Sequence, residues 1–309
     1  MYDLIVIGAG PAGVSASIYA CSRGLKVLVL EKNVVGGVIG AVSSVTHYTS
    51  VDKDETGITF AAKMKDQLLN AGAELIIDEV VEIKFSGNVK EVITKEKSYE
   101  AKAIIIANGS MPKKLDIEGA SKFFGKTFSI NAQKTGELHK GKNMYVIGGA
   151  DGAVKEAIFL SQFANKVTIV CVEEELSCIR EFIDKSAKIE NISVLPHSSL
   201  TAVRGDSEIE ELEFTDLITE EKTTIVDKGA IVYTYIGLVP NTSIYNDLEL
   251  ENGYIVVDDN METKFPGVFA VGDIRKKRVR QVATAVSDGA IAAINVYKLI
   301  AKKPSKKNK

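Results

Sequence analysis

Two glycine-rich turns carry the clearest chemical signal in the chain. The first, Gly8-Ala9-Gly10-Pro11-Ala12-Gly13, follows the apolar run Tyr2–Ile7 and precedes a helix-forming stretch from Val14 to Arg23. Glu31 ends a second apolar run, Lys26-Val27-Leu28-Val29-Leu30. It lies about 20 residues past the turn, where an acid can accept hydrogen bonds from a ribose. Gly8 permits the tight turn, Gly10 lets the backbone approach a pyrophosphate, and Gly13 allows close helix packing. The helix N-terminus would then aim free N–H groups and the positive end of its dipole at that pyrophosphate. A glycine turn of some other α/β fold is the competing reading; the strand–turn–helix context together with Glu31 weighs against it.

The elements that must position this turn recur further along. Asn143–Ile147 reads as a strand, Gly148-Gly149-Ala150-Asp151-Gly152-Ala153 as a turn, Val154–Phe163 as a helix and Lys166–Val170 as a strand. Short β-rich runs without polar alternation are what parallel strands covered on both faces look like. Two such units predict an α/β protein with two dinucleotide-binding, Rossmann-like domains. Two further buried strands, 103–109 and 268–273, each end in a small polar turn and flank the second unit. The second domain is therefore expected as an insertion, residues 114–244, into a first domain of residues 1–113 and 245–309. Gly237-Leu238-Val239-Pro240-Asn241 would be the returning linker.

Composition narrows the class. With 309 residues, 45% hydrophobic and 26% charged, the chain is long enough for two domains with sizeable cores. A net charge of −3 gives no general electrostatic case for nucleic acid. No apolar stretch reaches the roughly 18 residues that span a bilayer, and Asp3 stands where a secretory leader would be basic. Three cysteines, Cys21, Cys171 and Cys178, make no disulfide framework and suit a reducing cytoplasm. Lys302, Lys303, Lys306, Lys307 and Lys309 crowd the C-terminus, and a solvated tail is expected there.

Nearly the whole chain resembles the low-molecular-weight thioredoxin reductases and their relatives among the pyridine nucleotide–disulfide oxidoreductases. Gly8–Gly13, Glu31 and Gly36-Gly37 match that family's first FAD segment, and Ala107-Asn108-Gly109 stands where it has Ala-Thr-Gly. Tyr235-Ile236-Gly237-Leu238-Val239-Pro240-Asn241-Thr242 matches its inter-domain segment. Phe265–Asp273 and Arg280-Gln281-Val282, with Asp288-Gly289-Ala290 beyond, match its C-terminal FAD segments. The resemblance implies a non-covalently held FAD. Its contacts would be Gly8, Gly10, Pro11, Ala12, Gly13, Glu31, Lys32, Gly37, Val38, His47, Val81, Ala107, Asn108, Gly109, Gly272, Asp273, Arg280, Gln281 and Val282. Asp273 would bind the ribityl chain, and the 280–282 segment the flavin ring. Val38 replaces a common glutamine and His47 a common asparagine; His47 is either a flavin hydrogen-bond donor or proton relay, or a satisfied structural histidine. The resemblance also implies a homodimer.

What the family has and this chain lacks matters as much. Its redox dithiol, Cys-x-x-Cys, aligns on Asn131 and Lys134. Lys134 would replace the cysteine that in the family sits against the flavin, and a cation there would favour the reduced form. At the second turn Ala150 replaces a key glycine, and Cys171-Val172-Glu173-Glu174-Glu175 replaces the family's His-Arg-Arg. Three carboxylates repel a 2′-phosphate, so NADPH is disfavoured; an acid near Glu173 leaves NADH as an alternative. Three functions stay open. The first is a flavin oxidoreductase fed by ferredoxin or flavodoxin, with Arg275-Lys276-Lys277-Arg278 as a basic docking patch. The second is an NADH-dependent flavin reductase. The third is a non-catalytic, FAD-sensing protein.

Overall fold

The computed structural model describes residues 1–301; the lysine-rich segment lies outside the described residues. The chain opens with β1 (Tyr2–Ile7), α1 (Pro11–Cys21), β2 (Val27–Glu31), α2 (Gly57–Asn70) and β3 (Glu74–Ile77). A meander follows: β4 (Val80–Lys84), β5 (Lys90–Thr94) and β6 (Ser98–Ile106). The same sequence of elements is then repeated. It comprises β7 (Asn143–Ile147), α3 (Asp151–Leu160), β8 (Lys166–Val170), α4 (Arg180–Ser186) and β9 (Ile192–Leu195). Its meander is β10 (Ser198–Arg204), β11 (Ile209–Asp216) and β12 (Lys222–Thr234). The chain closes with β13 (Val268–Ala270) and α5 (Val282–Ala301).

The two sheets have the same strand order. The first runs β3-β2-β1-β6-β5-β4, with β13 also pairing β6. The second runs β9-β8-β7-β12-β11-β10, with the short strand Phe128–Ser129 also pairing β12. β1 is parallel to β2 and β6, and β13 to β6, while β4, β5 and β6 alternate in direction. The central strands are apolar throughout because both faces are covered. Leu4 and Val6 pack with α1, α2 and α5, and Ile5 and Ile7 pack on the other side with Tyr99, Tyr245 and Ile255. In the second sheet Met144 and Val146 face α3, and Tyr145 and Ile147 face the meander side.

Contacts divide the chain into two units. One is residues 1–40, 44–111 and 239–309; the other is residues 41–43 and 112–238. Both boundaries differ from those expected from sequence. Residues 239–244 cluster with the first unit because Asn241 ties them there: its N–H bonds to Gly109 O at 3.0 Å and its side-chain amide to Asn108 O at 2.6 Å. The connecting strands Ser110–Pro112 and Leu238–Pro240 pair with each other.

Candidate functional site

The candidate site of the first unit gathers at one edge of its sheet. β1, β2, β6 and β13 are mutually parallel, with Ile7 opposite Leu30 and Ile106, and Ile106 opposite Ala270. Their C-terminal ends, at Gly8, Glu31, Ala107 and Gly272, therefore share that edge, where open α/β sheets place ligands. Packing is too close there for side chains. Gly8 has φ +98°, and a Cβ on it would lie 2.7 Å from Ala107 O; one on Gly13 would lie 2.0 Å from Gly8 O. The C-terminal helix is drawn in by the same device, since Gly289 allows it against Ala12 and Ser15 Oγ bonds to Val286 O at 2.8 Å.

The residues present fit a dinucleotide pyrophosphate. Gly10 caps α1 without a side-chain hydrogen bond and Pro11 follows at the first helical position, so the first N–H groups point outward unpaired. A Cβ on Gly10 would meet only Gly36 O at 4.0 Å, and one on Gly37 only Gly10 Cα at 3.5 Å, which leaves a bare-backbone cradle. Glu31 Oε2 accepts Ala9 N–H at 2.8 Å and Oε1 accepts Asn33 N–H at 2.9 Å. Each oxygen keeps a lone pair for a ribose hydroxyl. Lys32 is ion-paired to Glu79 and Asp78 N–H bonds to Glu31 O, so the chain leaving β3 passes the end of β2; the expected contact Val81 is exposed in β4, which pairs β5. At the far end of the site Asp273 Oδ1 is buried and accepts no hydrogen bond.

Other expected contacts lie differently. Asn108 uses its side chain within the fold: Nδ2 donates to Asn241 O at 3.3 Å and Oδ1 accepts the buried Tyr245 hydroxyl at 3.0 Å. Val38 is exposed on the 3-10 turn Gly37–Ala41, and His47 is exposed with φ +59°. Val282 begins α5, with Gln281 exposed just before it. Arg280 turns its guanidinium onto the Tyr254 ring, 4.0 Å from the centroid, and its buried Nε has no hydrogen-bond partner. It lines a cavity of about 550 Å³ with Glu251, Tyr254, Val257, Lys276 and Arg278.

The run at 275–278 needs correction. Arg275 is not part of a free basic patch: it grips Asp288 with Nε–Oδ2 at 2.8 Å and Nη2–Oδ1 at 2.7 Å. Lys277 is buried, 3.2 Å from Asp288 Oδ2 and 3.4 Å from Asp273 Oδ1. Lys276 is paired to Glu251. Asp288 Oδ2 also accepts Gly272 N–H at 3.1 Å, so one buried carboxylate anchors the turn that presents Asp273. Local sequence did not reveal this constellation: Asp288 entered it only within the Asp288-Gly289-Ala290 segment, more than ten residues from Arg275 and Lys277. Its neighbours Gly289, Ala292 and Ala293, all small and buried, were the available signal.

The second unit's turn differs from the first. A Cβ on Gly149 would lie 2.8 Å from Cys171 Cβ and 3.6 Å from Glu173 Oε2. The segment after β8 folds back on the turn, with Ser177 N–H on Gly149 O at 3.0 Å and Ile179 N–H on Asp151 Oδ1 at 2.8 Å. Two carboxylates thus share the N-terminal region of α3 with its turn, where they oppose an incoming phosphate. Burial pushes the Cys171 and Cys178 thiols up, and neighbouring acids add to this. Glu156 on α3 is buried, which raises its carboxyl, and its Oε1 accepts Ser43 N–H at 3.1 Å. At the position of the expected dithiol, Asn131 caps the one-turn helix Ala132–Thr135 by accepting Lys134 N–H at 3.0 Å; the Lys134 side chain is exposed.

Comparison with known proteins is consistent along the chain. The family model for pyridine nucleotide-disulphide oxidoreductases matches residues 2–289. A thioredoxin reductase of Peptoclostridium acidaminophilum is 34% identical over 306 residues, 97% of each chain. A Clostridium pasteurianum protein described as a 34.2 kDa protein in the rubredoxin operon is 37% identical over 301 residues, 96% of this chain and 97% of that one. Among solved structures, Lactococcus lactis thioredoxin reductase in its FR conformation superposes with a TM-score of 0.93 at 34% identity, covering 98% of this chain and 100% of that one. Thioredoxin reductase of T. acidophilum gives 0.91 at 33% identity, covering 97% and 98%.

Proposed function

Because the chain belongs to the pyridine nucleotide–disulphide oxidoreductase family, as a thioredoxin-reductase-like flavoprotein with no disulfide-forming cysteine pair, we propose that it is an FAD-dependent oxidoreductase that moves electrons without a protein dithiol. When bound, FAD supplies the electron-carrying chemistry, accepting two electrons and releasing them together or singly. The chain's own residues bind and orient it. The α1 N-terminus and the Gly10/Gly37 cradle take the pyrophosphate, Glu31 the adenosine ribose, and Asp273 a ribityl hydroxyl. Asp273 Oδ1 carries this reading: it is buried without a hydrogen-bond partner, Lys277 reaching it only as an ion pair at 3.4 Å, and a buried acceptor without a donor is costly.

We infer further that the electrons come from a redox protein of the ferredoxin or flavodoxin class rather than from NADPH. The support is the acidic, folded-back segment at the second turn, with Glu173 Oε2 beside Gly149. The operon named for the Clostridium pasteurianum relative also suits a protein redox partner. Arg275, turned onto Asp288, and the buried Lys277 leave less basic surface for docking than the sequence suggested. NADH-dependent flavin reduction is the second reading, favoured by a carboxylate just past β8 that can accept ribose hydrogen bonds. The test is anaerobic reduction of the purified yellow protein by NADH, NADPH and reduced ferredoxin side by side. Fast bleaching by ferredoxin alone is expected. Fast bleaching by NADPH would overturn the donor assignment, and colourless protein that FAD cannot reconstitute would overturn the flavin itself.

A further inference from the structure

Near Asp273 the fold gathers two cations and two carboxylates in one cluster. Arg275 and Lys277 face Asp288 and Asp273, and the side chains of Lys277 and Asp288 are only 6% and 5% exposed. Lys277 Nζ also lies 3.2 Å from Thr284 Oγ1 on the first turn of α5. Its contact with Asp273 is an ion pair without hydrogen-bond geometry, so Asp273 Oδ1 stays available to a ligand hydroxyl. Ion pairs this deep are costly in stability, and hydrophobic replacements often do as well. Arg275 alone already satisfies Asp288 with two hydrogen bonds. A second cation, itself buried, is therefore more than anchoring of the turn requires.

We propose that Lys277 sets the reduction potential of the bound flavin, as the buried charge that keeps the Asp273–Asp288 cluster neutral when the flavin gains electrons. This rests on the FAD reading above. Reduction adds negative charge to the cofactor, and the cluster sits on the residue that would hold its ribityl chain. With Lys277 the cluster is balanced; without it, one buried carboxylate is uncompensated and opposes reduction. Both Arg275 and the start of α5 act in the same direction as Lys277, but only Lys277 touches both carboxylates.

The experiment measures the flavin midpoint potential and the FAD dissociation constant for the unmodified protein and for Lys277→Met, Lys277→Gln and Lys277→Arg. Glutamine keeps a hydrogen-bond donor without the charge, and arginine keeps the charge. In both neutral variants reduced FAD should lose at least about tenfold in affinity relative to oxidised FAD, which is about 30 mV for a two-electron couple. Lys277→Arg should stay near the unmodified value. The double variant Lys277→Met/Asp288→Asn removes one charge of each sign and should recover most of the loss. An unchanged potential in Lys277→Gln, or an equal fall in Lys277→Arg, would show a merely structural lysine and sink the proposal. Unmodified protein that binds no FAD would instead refute the function on which it rests. If the methionine variant does not fold, the glutamine and arginine pair still decides.

Discussion

Asp273 gives the proposed cofactor site its most direct test. Its buried Oδ1 has no hydrogen-bond partner, so Asp273→Ala should weaken FAD retention by about 1–3 kcal/mol, the value of a buried hydrogen bond to a charged acceptor. Equilibrium dialysis against FAD checks this, and undiminished retention would move the ribityl contact elsewhere. The cysteines behave oppositely. Burial raises the Cys171 and Cys178 thiols, and the thiolate is the reactive species. Alkylation by iodoacetamide at neutral pH should therefore be slower than for a free thiol and should accelerate as pH rises past the ordinary thiol range. Rapid loss of both thiols at pH 7 would reopen the redox role that their seven-residue spacing does not suggest.

Among the elements, α1 is held by backbone contact rather than by side chains. Gly13 lets its first turn close on Gly8 O, where a Cβ would lie at 2.0 Å. Gly13→Ala forces that strand–turn–helix apart, and overpacking of this kind costs about 1–3 kcal/mol. A lower urea midpoint with unchanged slope is expected, together with weaker FAD binding; a wild-type midpoint would mean that the turn relaxes freely. The second unit repeats the same elements with another outcome. Its α3 begins at Asp151 and is covered by the 171–179 segment, so equivalent topology does not present equivalent groups at the two turns.

For the whole molecule, electrons that reach the flavin have no dithiol to pass through. NAD(P)H-driven turnover of a thioredoxin-type disulfide should be absent or very slow, in a dithionitrobenzoate-coupled assay with thioredoxin. Robust turnover that disappears on changing Cys171 or Cys178 would contradict this. The family membership further suggests a homodimer, which light scattering at micromolar concentration tests; a monomer mass would count against it. Among the described residues no helix is long and apolar enough to cross a membrane.

The strand–turn–helix units and their repetition were legible in the sequence. Glycine spacing and uninterrupted apolar strands are local signals with local mechanical causes. So was the loss of the dithiol, because Asn131 and Lys134 differ chemically from cysteine wherever they point. Tertiary structure decided the rest. Residues 239–244 joined the first unit because Asn241 found Asn108 and Gly109, a pairing across 133 residues of chain. Arg275 and Lys277 read as surface charge until α5 brought Asp288 beneath them. Charge on a residue is local, but its burial and its partners are set by elements distant in sequence, and these turned Arg275 and Lys277 onto Asp288 while Lys276 and Arg278 stayed exposed.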